Sequence, residues 1–198
     1  YTDMEIAFFD FDGTITKDDS TIKFIRFFTG DFKYIIGIIL LSPLLVLYKL
    51  NILDNDYIKK MIITYFFKDI SEVDFKNKAK LFSSNIIPKL IRKKALDRLA
   101  WHKNKGHTIV IVSASINLWL QDWCDLNDFI LIASELEIVD KKITGNLLSK
   151  NCYGPEKVKR ILNKYNLSDY SYIYAYGNSR GDHEMLDIAN EKNYKPFR

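Results

Sequence analysis

The sequence predicts an α/β protein with a three-layer Rossmann-like core, a parallel sheet between helices, and an α-helical cap inserted into that core. Two observations support this fold class. Apolar runs typical of buried strands end three times in polar residues, and each polar segment precedes a stretch with helical character. Between the first two runs lie about seventy residues with helical periodicity, which is too long for a loop.

The three apolar runs are the predicted central strands. They cover 5–9, 107–112 and 172–176, and they lead into polar segments at 10–14, 113–115 and 177–182. Because ligands collect beyond the carboxyl ends of parallel strands, we expect the three polar segments to meet in one site.

The remaining elements follow from apolar spacing and from turn residues. We predict a helix over 88–105 that ends before Gly106, a strand over 130–134, a hairpin over 137–145 and a helix over 155–163 that begins with Pro155. These predictions divide the chain into a core formed by 1–17 and 88–198 and a cap formed by 18–87.

The cap contains an uncharged stretch, 34–48, between Lys33 and Lys49. A membrane-spanning helix needs about twenty apolar residues, and Gly37 and Pro43 interrupt this shorter stretch. We favour a buried or partly exposed hairpin within the cap. A membrane-surface element with lysines at its edges is the second interpretation, and a membrane span is the third.

Composition excludes several classes of protein. The chain has 198 residues and a formal net charge of +4, with basic residues interspersed among acidic ones, so it lacks the basic stripe of a nucleic-acid-binding protein. Cys124 and Cys152 have no CxxC spacing, which argues against a zinc site or a disulfide framework. No segment resembles a secretion leader. We expect a cytoplasmic protein, associated with the inner face of the membrane if 34–48 is a surface element.

Asp10 and Asp12 form a pair of carboxylates after the first strand. They lie two residues apart, so on an extended backbone both side chains face one side and could share a cation and a phosphate. The repulsion between them calls for a divalent cation, and Mg²⁺ prefers oxygen ligands. We expect Asp10 to attack phosphorus, and Asp12 to protonate the leaving alkoxide and later to deprotonate water.

Further polar residues at strand and helix ends complete the predicted site. Ser113 and the neighbouring amides, including that of Ala114, would bind phosphate oxygens, and Lys157 would supply a positive charge. The predicted Mg²⁺ ligands are Asp10, Asp12, Asn178 and Asp182.

The residues around these positions resemble the haloacid dehalogenase superfamily. Its four motifs are matched, in order, by residues 8–16 (FFDFDGTIT), by Val112 with Ser113, by Lys157 and by residues 177–182 (GNSRGD). A cap between the first two motifs resembles the phosphoserine phosphatase-like branch, and residues 101–103, 113–115 and 176–182 resemble bacterial members linked to phosphatidylglycerophosphate dephosphorylation. The resemblance implies a Mg²⁺-dependent phosphatase that forms an aspartyl phosphate.

One position departs from the family pattern. Many members have aspartate directly after the glycine of the fourth motif, where this chain has Asn178. An amide oxygen brings no negative charge, so weaker Mg²⁺ binding is expected. Metal-independent dehalogenases also place an asparagine in this region, which keeps dehalogenation as a minority interpretation that Asp12 argues against. A binding or regulatory protein with weakened catalysis is the remaining alternative.

Substrate choice is expected to lie in the cap. The resemblance places Asp19 near a glutamate that holds the substrate amine in amino-acid phosphatases, and Lys59 or Lys60 near a basic residue of those enzymes. Arg180, inside the fourth motif, would contact substrate or pair with a cap carboxylate. The stretch 34–48 favours a phospholipid head group, as in phosphatidylglycerophosphate, over a phosphorylated small molecule such as phosphoserine.

Overall fold

The computed structural model describes residues 4–198. The strands in this part of the chain are β1 (Glu5–Phe9), β2 (Thr108–Ile116), β3 (Ile130–Ser134), β4 (Leu136–Val139), β5 (Lys142–Leu147), β6 (Tyr172–Gly177) and β7 (Glu191–Tyr194). The α-helices are α1 (Ser20–Thr29), α2 (Asp31–Lys49), α3 (Asn55–Phe67), α4 (Glu72–Asn85), α5 (Ile87–Leu90), α6 (Lys93–Asn104), α7 (Gln121–Leu126), α8 (Pro155–Lys164) and α9 (His183–Asp187).

Five strands form a parallel sheet in the order β3-β2-β1-β6-β7, which confirms the predicted α/β fold. Alternate residues of the central strand β1 enter two different apolar clusters, Ala7 and Phe9 in one and Ile6 and Phe8 in the other. Both faces of the sheet are therefore covered, which is why β1 is apolar throughout rather than alternating.

The helix predicted over 88–105 is wrong as a single element. It forms two helices, α5 and α6, and Ile91 between them pairs with Thr16 in an antiparallel bridge. Apolar spacing continues across the break, so periodicity alone could not detect it. The predicted end is confirmed, because α6 stops at Asn104 and Gly106 has the left-handed φ of 76° that glycine adopts after helices.

Two strands differ from the prediction. The second strand continues past Val112 to Ile116, so Ser113 and Ser115 lie within β2, where its pairing with β3 shifts register. The edge strand β7 was not predicted, because its residues EKNY contain no apolar run.

Helices α1–α4 lie between β1 and β2 along the chain, and we call them the helical insertion. The hairpin predicted over 34–48 is wrong, because this stretch belongs to the single 19-residue helix α2, with Pro43 inside it. Three of its apolar side chains are largely exposed: Phe32 (80%), Ile39 (64%) and Leu40 (61%). Within the part of the chain described here, α2 is the one helix whose length and composition would suffice to cross a membrane.

A close contact explains how α2 packs on α3. A Cβ atom on Gly37 would lie 2.3 Å from Cζ of Phe66, so glycine permits an approach that no other residue would allow. The β4–β5 hairpin, predicted as part of the core, packs on α3 as well, and Thr64 Oγ1 donates to the Gly145 carbonyl at 2.9 Å. The boundaries between core and cap remain a prediction.

Candidate active site

The centre of the candidate site is a buried group of three charges at the carboxyl ends of β1 and β6. Lys157 Nζ, in the first turn of α8, lies 2.7 Å from Asp10 Oδ1 and 2.7 Å from Asp182 Oδ1. It also donates to the Val112 carbonyl at 2.8 Å. Thr14 Oγ1 donates to Asp10 Oδ2 at 2.8 Å, so both carboxylate oxygens of Asp10 are oriented.

Burial and pairing act in opposite directions on these charges. Burial raises the pKa of Asp10 to about 6, against the opposing effect of the Lys157 ammonium. Burial also disfavours the charged form of Lys157, but the two carboxylates outweigh it and hold its pKa above the usual value. The pKa of Asp182 lies below its usual value despite burial, because Lys157 and the Ser179 donors stabilise its charge. A cationic lysine between two carboxylates results.

The Asp12 carboxylate points away from Lys157 and towards the helical insertion. Its Oδ1 accepts from the Ser20 backbone N–H at 2.6 Å, and its Oδ2 accepts from Ser115 Oγ at 2.5 Å. Burial and the nearby charge of Asp19 raise the pKa of Asp12 to about 7. A carboxyl group whose pKa is near neutrality can both give and take a proton.

The loop after β6 is built tightly around Asp182. Its Oδ2 accepts from the Asn178 and Ser179 backbone N–H groups, at 3.1 and 2.9 Å, and from Ser179 Oγ at 2.8 Å. A Cβ atom on Gly177 would lie 2.5 Å from Asp182 Cβ. Glycine at 177 therefore leaves room for this carboxylate.

Asn178 faces the first motif across the site. Gly13 has a φ of 77°, and a Cβ atom there would lie 2.3 Å from Asn178 Nδ2. The Asn178 Oδ1 atom is buried without a hydrogen-bond partner among residues 4–198. An unpaired buried carbonyl oxygen in a residue that lines the same cavity as the carboxylates of Asp10, Asp12 and Asp182 is suited to a hard cation.

A cavity of about 460 Å³ opens above these residues and extends into the helical insertion. Asp10, Asp12, Lys157, Asn178 and Asp182 line its polar end. The opposite end is lined mainly by apolar side chains of α1, α2 and α3, among them Ile25, Ile38, Leu45, Ile58, Ile62 and Phe67.

Lys59 is a basic residue in the lining of this cavity. Its Nζ donates to the Ala114 carbonyl and, at 2.9 Å, to Asn151 Oδ1. No carboxylate of residues 4–198 forms a salt bridge with it, and burial lowers its pKa to about 8. Of the two lysines considered from the sequence, Lys59 lines the cavity and Lys60 is exposed.

The structure places the other predicted substrate-binding residues at different positions relative to the cavity. Ser113 is buried, and its Oγ accepts from the Ser115 N–H at 3.0 Å, while Ala114 lines the cavity. Asp19 lines the cavity and also caps α1 by accepting from the Ile22 N–H at 3.0 Å. Arg180 is exposed and lines a neighbouring cavity of about 630 Å³ instead, so the structure does not bring it to the site.

Ser20 and Ser115 were not singled out from the sequence, although both contact Asp12. One signal was available for Ser115. Side chains two residues apart on a strand share a face, so placing Ser113 at the site also places Ser115 there, provided that the strand continues. For Ser20, only the tertiary contact identifies it.

A family model supports the match of these motifs. The model described as haloacid dehalogenase-like hydrolase matches residues 7–187, nearly the whole chain. The chain belongs to the haloacid dehalogenase-like hydrolases. This confirms the family predicted from the four motifs.

One curated relative and two solved structures are similar to this chain. The chain is 33% identical to Protein CicA of Caulobacter vibrioides over 192 residues, covering 96% of this chain and 85% of the relative. A Bordetella pertussis Tohama I protein of unknown function has a similar structure, with a TM-score of 0.83, 20% identity and coverage of 98% and 89%. A substrate-bound phosphoserine phosphatase has a TM-score of 0.62, 16% identity and coverage of 96% and 84%. The two structures show that the fold is shared.

Proposed function

We propose that this hydrolase is a Mg²⁺-dependent phosphomonoesterase that works through an aspartyl phosphate on Asp10. The observation that carries the proposal is the arrangement of Asp10, Lys157 and Asp182 at one end of a cavity, with Asp12 at its wall. This geometry offers a carboxylate nucleophile, a fixed positive charge for phosphate oxygens and a separate acid and base.

The reaction would proceed in two steps. An Asp10 oxygen forms a bond to phosphorus as the bond to the leaving oxygen breaks, and Asp12 gives its proton to that oxygen. Asp12 then takes a proton from water, which attacks phosphorus and releases phosphate from Asp10. Lys157 remains charged throughout and stabilises the negative charge on the phosphoryl oxygens.

The residues present fit a magnesium ion. Asp10, Asp182 and the unpaired Asn178 Oδ1 would hold it, and Mg²⁺ would supply charge neutralisation between phosphate and carboxylates. Asp12, the fourth predicted ligand, lines the same cavity, and its carboxylate, like those of Asp10 and Asp182, already accepts hydrogen bonds. Residues 4–198 contain no cluster of three His, Cys, Asp or Glu side chains suited to a metal, so an amide oxygen, phosphate and water would complete the coordination.

A lipid phosphate is the proposed substrate, with phosphatidylglycerophosphate as one example. The cavity continues from the carboxylates into an apolar end, which suits a hydrocarbon-bearing leaving group better than a small polar one. The outer face of α2 exposes apolar side chains, and no acidic residue occurs between Asp31 and Asp54, whereas Lys33 and Lys49 mark its ends. Such a helix suits the surface of an anionic membrane, at the inner face if the protein is cytoplasmic.

A phosphorylated small molecule is the second candidate. Asp19 and Lys59 line the same cavity with opposite charges, as the amine and carboxylate of phosphoserine would require. The fold shared with a phosphoserine phosphatase is compatible with this candidate.

The test is release of inorganic phosphate from p-nitrophenyl phosphate, phosphatidylglycerophosphate and phosphoserine, each with Mg²⁺ or with EDTA. We expect release that requires Mg²⁺ and that Asp10→Asn abolishes without unfolding the protein. Preference for the lipid would support the first candidate, and preference for phosphoserine the second. No release from any phosphate would favour a binding or regulatory protein, and Mg²⁺-independent turnover of haloacids would favour dehalogenation.

A further inference from the structure

A hydrogen-bonded group of hydroxyls lies behind Asp12, between β2 and α1. Ser115 Oγ is 2.5 Å from Asp12 Oδ2, 3.0 Å from Ser20 Oγ and 3.1 Å from Thr21 Oγ1. Trp119 Nε1 donates to Ser20 Oγ at 3.3 Å. Ser20, Ser115 and Trp119 are buried, and Ser115 and Trp119 also line the cavity beside Asp12. We call the three hydroxyl residues Ser20, Thr21 and Ser115, together with the indole donor Trp119, the hydroxyl cluster.

We propose that Ser115 is a positioning residue, which holds the Asp12 carboxyl group in the orientation that delivers its proton to the leaving oxygen. The inference rests on the proposed function, since it assigns a task within that reaction. Ser115 does not act on the substrate directly. It acts through Asp12, and the rest of the hydroxyl cluster acts through Ser115.

The available donors determine the direction of the hydrogen bonds in the hydroxyl cluster. An indole N–H can only donate, so Ser20 Oγ accepts from Trp119 and keeps its own proton for another partner. Ser115 Oγ is that partner, which leaves the Ser115 proton for Asp12. With the Ser20 N–H on Oδ1, both carboxylate oxygens of Asp12 have a fixed donor, and the carboxyl group cannot rotate freely.

The cluster also suits an acid that becomes a base within one turnover. Each carboxyl oxygen has two lone-pair sites, so Asp12 Oδ2 can accept from Ser115 at one site while the other site carries the proton that is transferred. Ser115 can therefore donate to Asp12 both before and after that proton leaves.

The test compares substrates that differ in their need for an acid. An alkyl phosphate releases an alkoxide that requires a proton, whereas p-nitrophenolate leaves without one. The parameter is kcat/KM, which covers the steps up to departure of the leaving group. We expect Ser115→Ala to lower kcat/KM for octyl phosphate by about 10- to 100-fold, part of the usual contribution of general acid catalysis, and to change p-nitrophenyl phosphate turnover far less.

Two controls separate positioning from a structural role. Ser83 is equally buried, and its Oγ accepts from the Trp123 N–H at 2.9 Å and forms no hydrogen bond with Asp12 or the hydroxyl cluster, so Ser83→Ala should leave the ratio between the two substrates unchanged. Ser115→Ala added to Asp12→Asn should cause no further loss on octyl phosphate, because residues that act as a unit are non-additive. Thermal unfolding of each variant verifies that it is folded.

The contrary outcomes are equally specific. Equal loss on both substrates, or a loss that adds to that of Asp12→Asn, would overturn the inference and assign Ser115 to phosphate binding or to folding. Phosphate release by the wild-type protein would leave the proposed function intact in that case. If the wild-type protein released phosphate from neither substrate, the proposed function would fail and this inference with it.

Discussion

Acidification is predicted to destabilise the protein through His102, a buried residue on the face of the sheet that carries α6. His102 Nε2 lies 2.9 Å from the Tyr176 hydroxyl, and its Nδ1 lies 2.8 Å from His107 Nδ1. Arg98 Nε donates to the same hydroxyl at 2.7 Å, and His107 Nε2 lies 3.1 Å from Glu5 Oε2. One direction satisfies the whole chain: Tyr176 donates to His102, His102 to His107, and His107 to Glu5.

In that arrangement Nε2 of His102 has to remain an acceptor. Burial, together with His107 and Arg98, lowers the pKa of His102 from 6.5 to about 3. In the unfolded chain His102 therefore becomes protonated near pH 6.5, whereas in the folded protein it stays neutral until about pH 3. His102 has no effect of this kind on the free energy of unfolding above about pH 6.5. Below it, the free energy of unfolding falls by about 1.4 kcal/mol per pH unit because of His102, so that about 2 kcal/mol is lost at pH 5.

The assay is urea unfolding of the wild-type protein and of His102→Gln at pH 8, 6 and 5. Other groups titrate in both proteins, so the informative quantity is the difference between their slopes against pH. The variant should be less stable at pH 8, because it loses hydrogen bonds, but its free energy of unfolding should fall less steeply. Parallel curves for the two proteins would refute the reasoning, since His102 would then titrate alike in the folded and unfolded states.

Three further predictions concern the site and α2. Lys157→Met leaves Asp10 and Asp182 buried without their cation and should reduce the free energy of unfolding by about 3–5 kcal/mol, and unchanged urea midpoints would contradict this. Asn178→Asp should lower the Mg²⁺ concentration at half-maximal activity, on the order of tenfold, whereas an unchanged titration would mean that residue 178 does not bind the ion. Ile39→Glu should reduce cosedimentation with phosphatidylglycerol vesicles by roughly tenfold or more. The control is Leu126→Glu, at an apolar residue that is even more exposed, and it should leave cosedimentation unchanged. Equal effects of the two substitutions would argue against α2 as the membrane contact.

The sequence by itself determined the sheet core, the insertion after β1 and the four motifs. These features are local, because apolar runs and motif spacing depend on neighbours along the chain. Once the order of the four motifs is recognised, it predicts that Asp10, Lys157 and Asp182 share one site. It does so although Asp10 and Lys157 are 147 positions apart in the sequence.

Only the tertiary structure decided the contacts made by side chains distant in sequence. Lys59 and Lys60 are neighbours in α3, but one faces the cavity and the other faces solvent. Arg180 lies within the fourth motif and still lines a different cavity. No sequence motif links His102 to His107, and only the structure shows that their Nδ1 atoms lie 2.8 Å apart at the end of α6.

The exposed face of α2 is the clearest case. Apolar residues occur on all sides of this helix, so the sequence shows no polar face and leaves open whether the stretch is buried, partly exposed or at a membrane surface. Its exposure follows from how many neighbours the fold supplies: α3 and α1 contact it, and they leave the outer face uncovered. The sequence predicted a break at Gly37 and Pro43 that the single helix does not have, and the packing of distant segments determined which of its faces remained open.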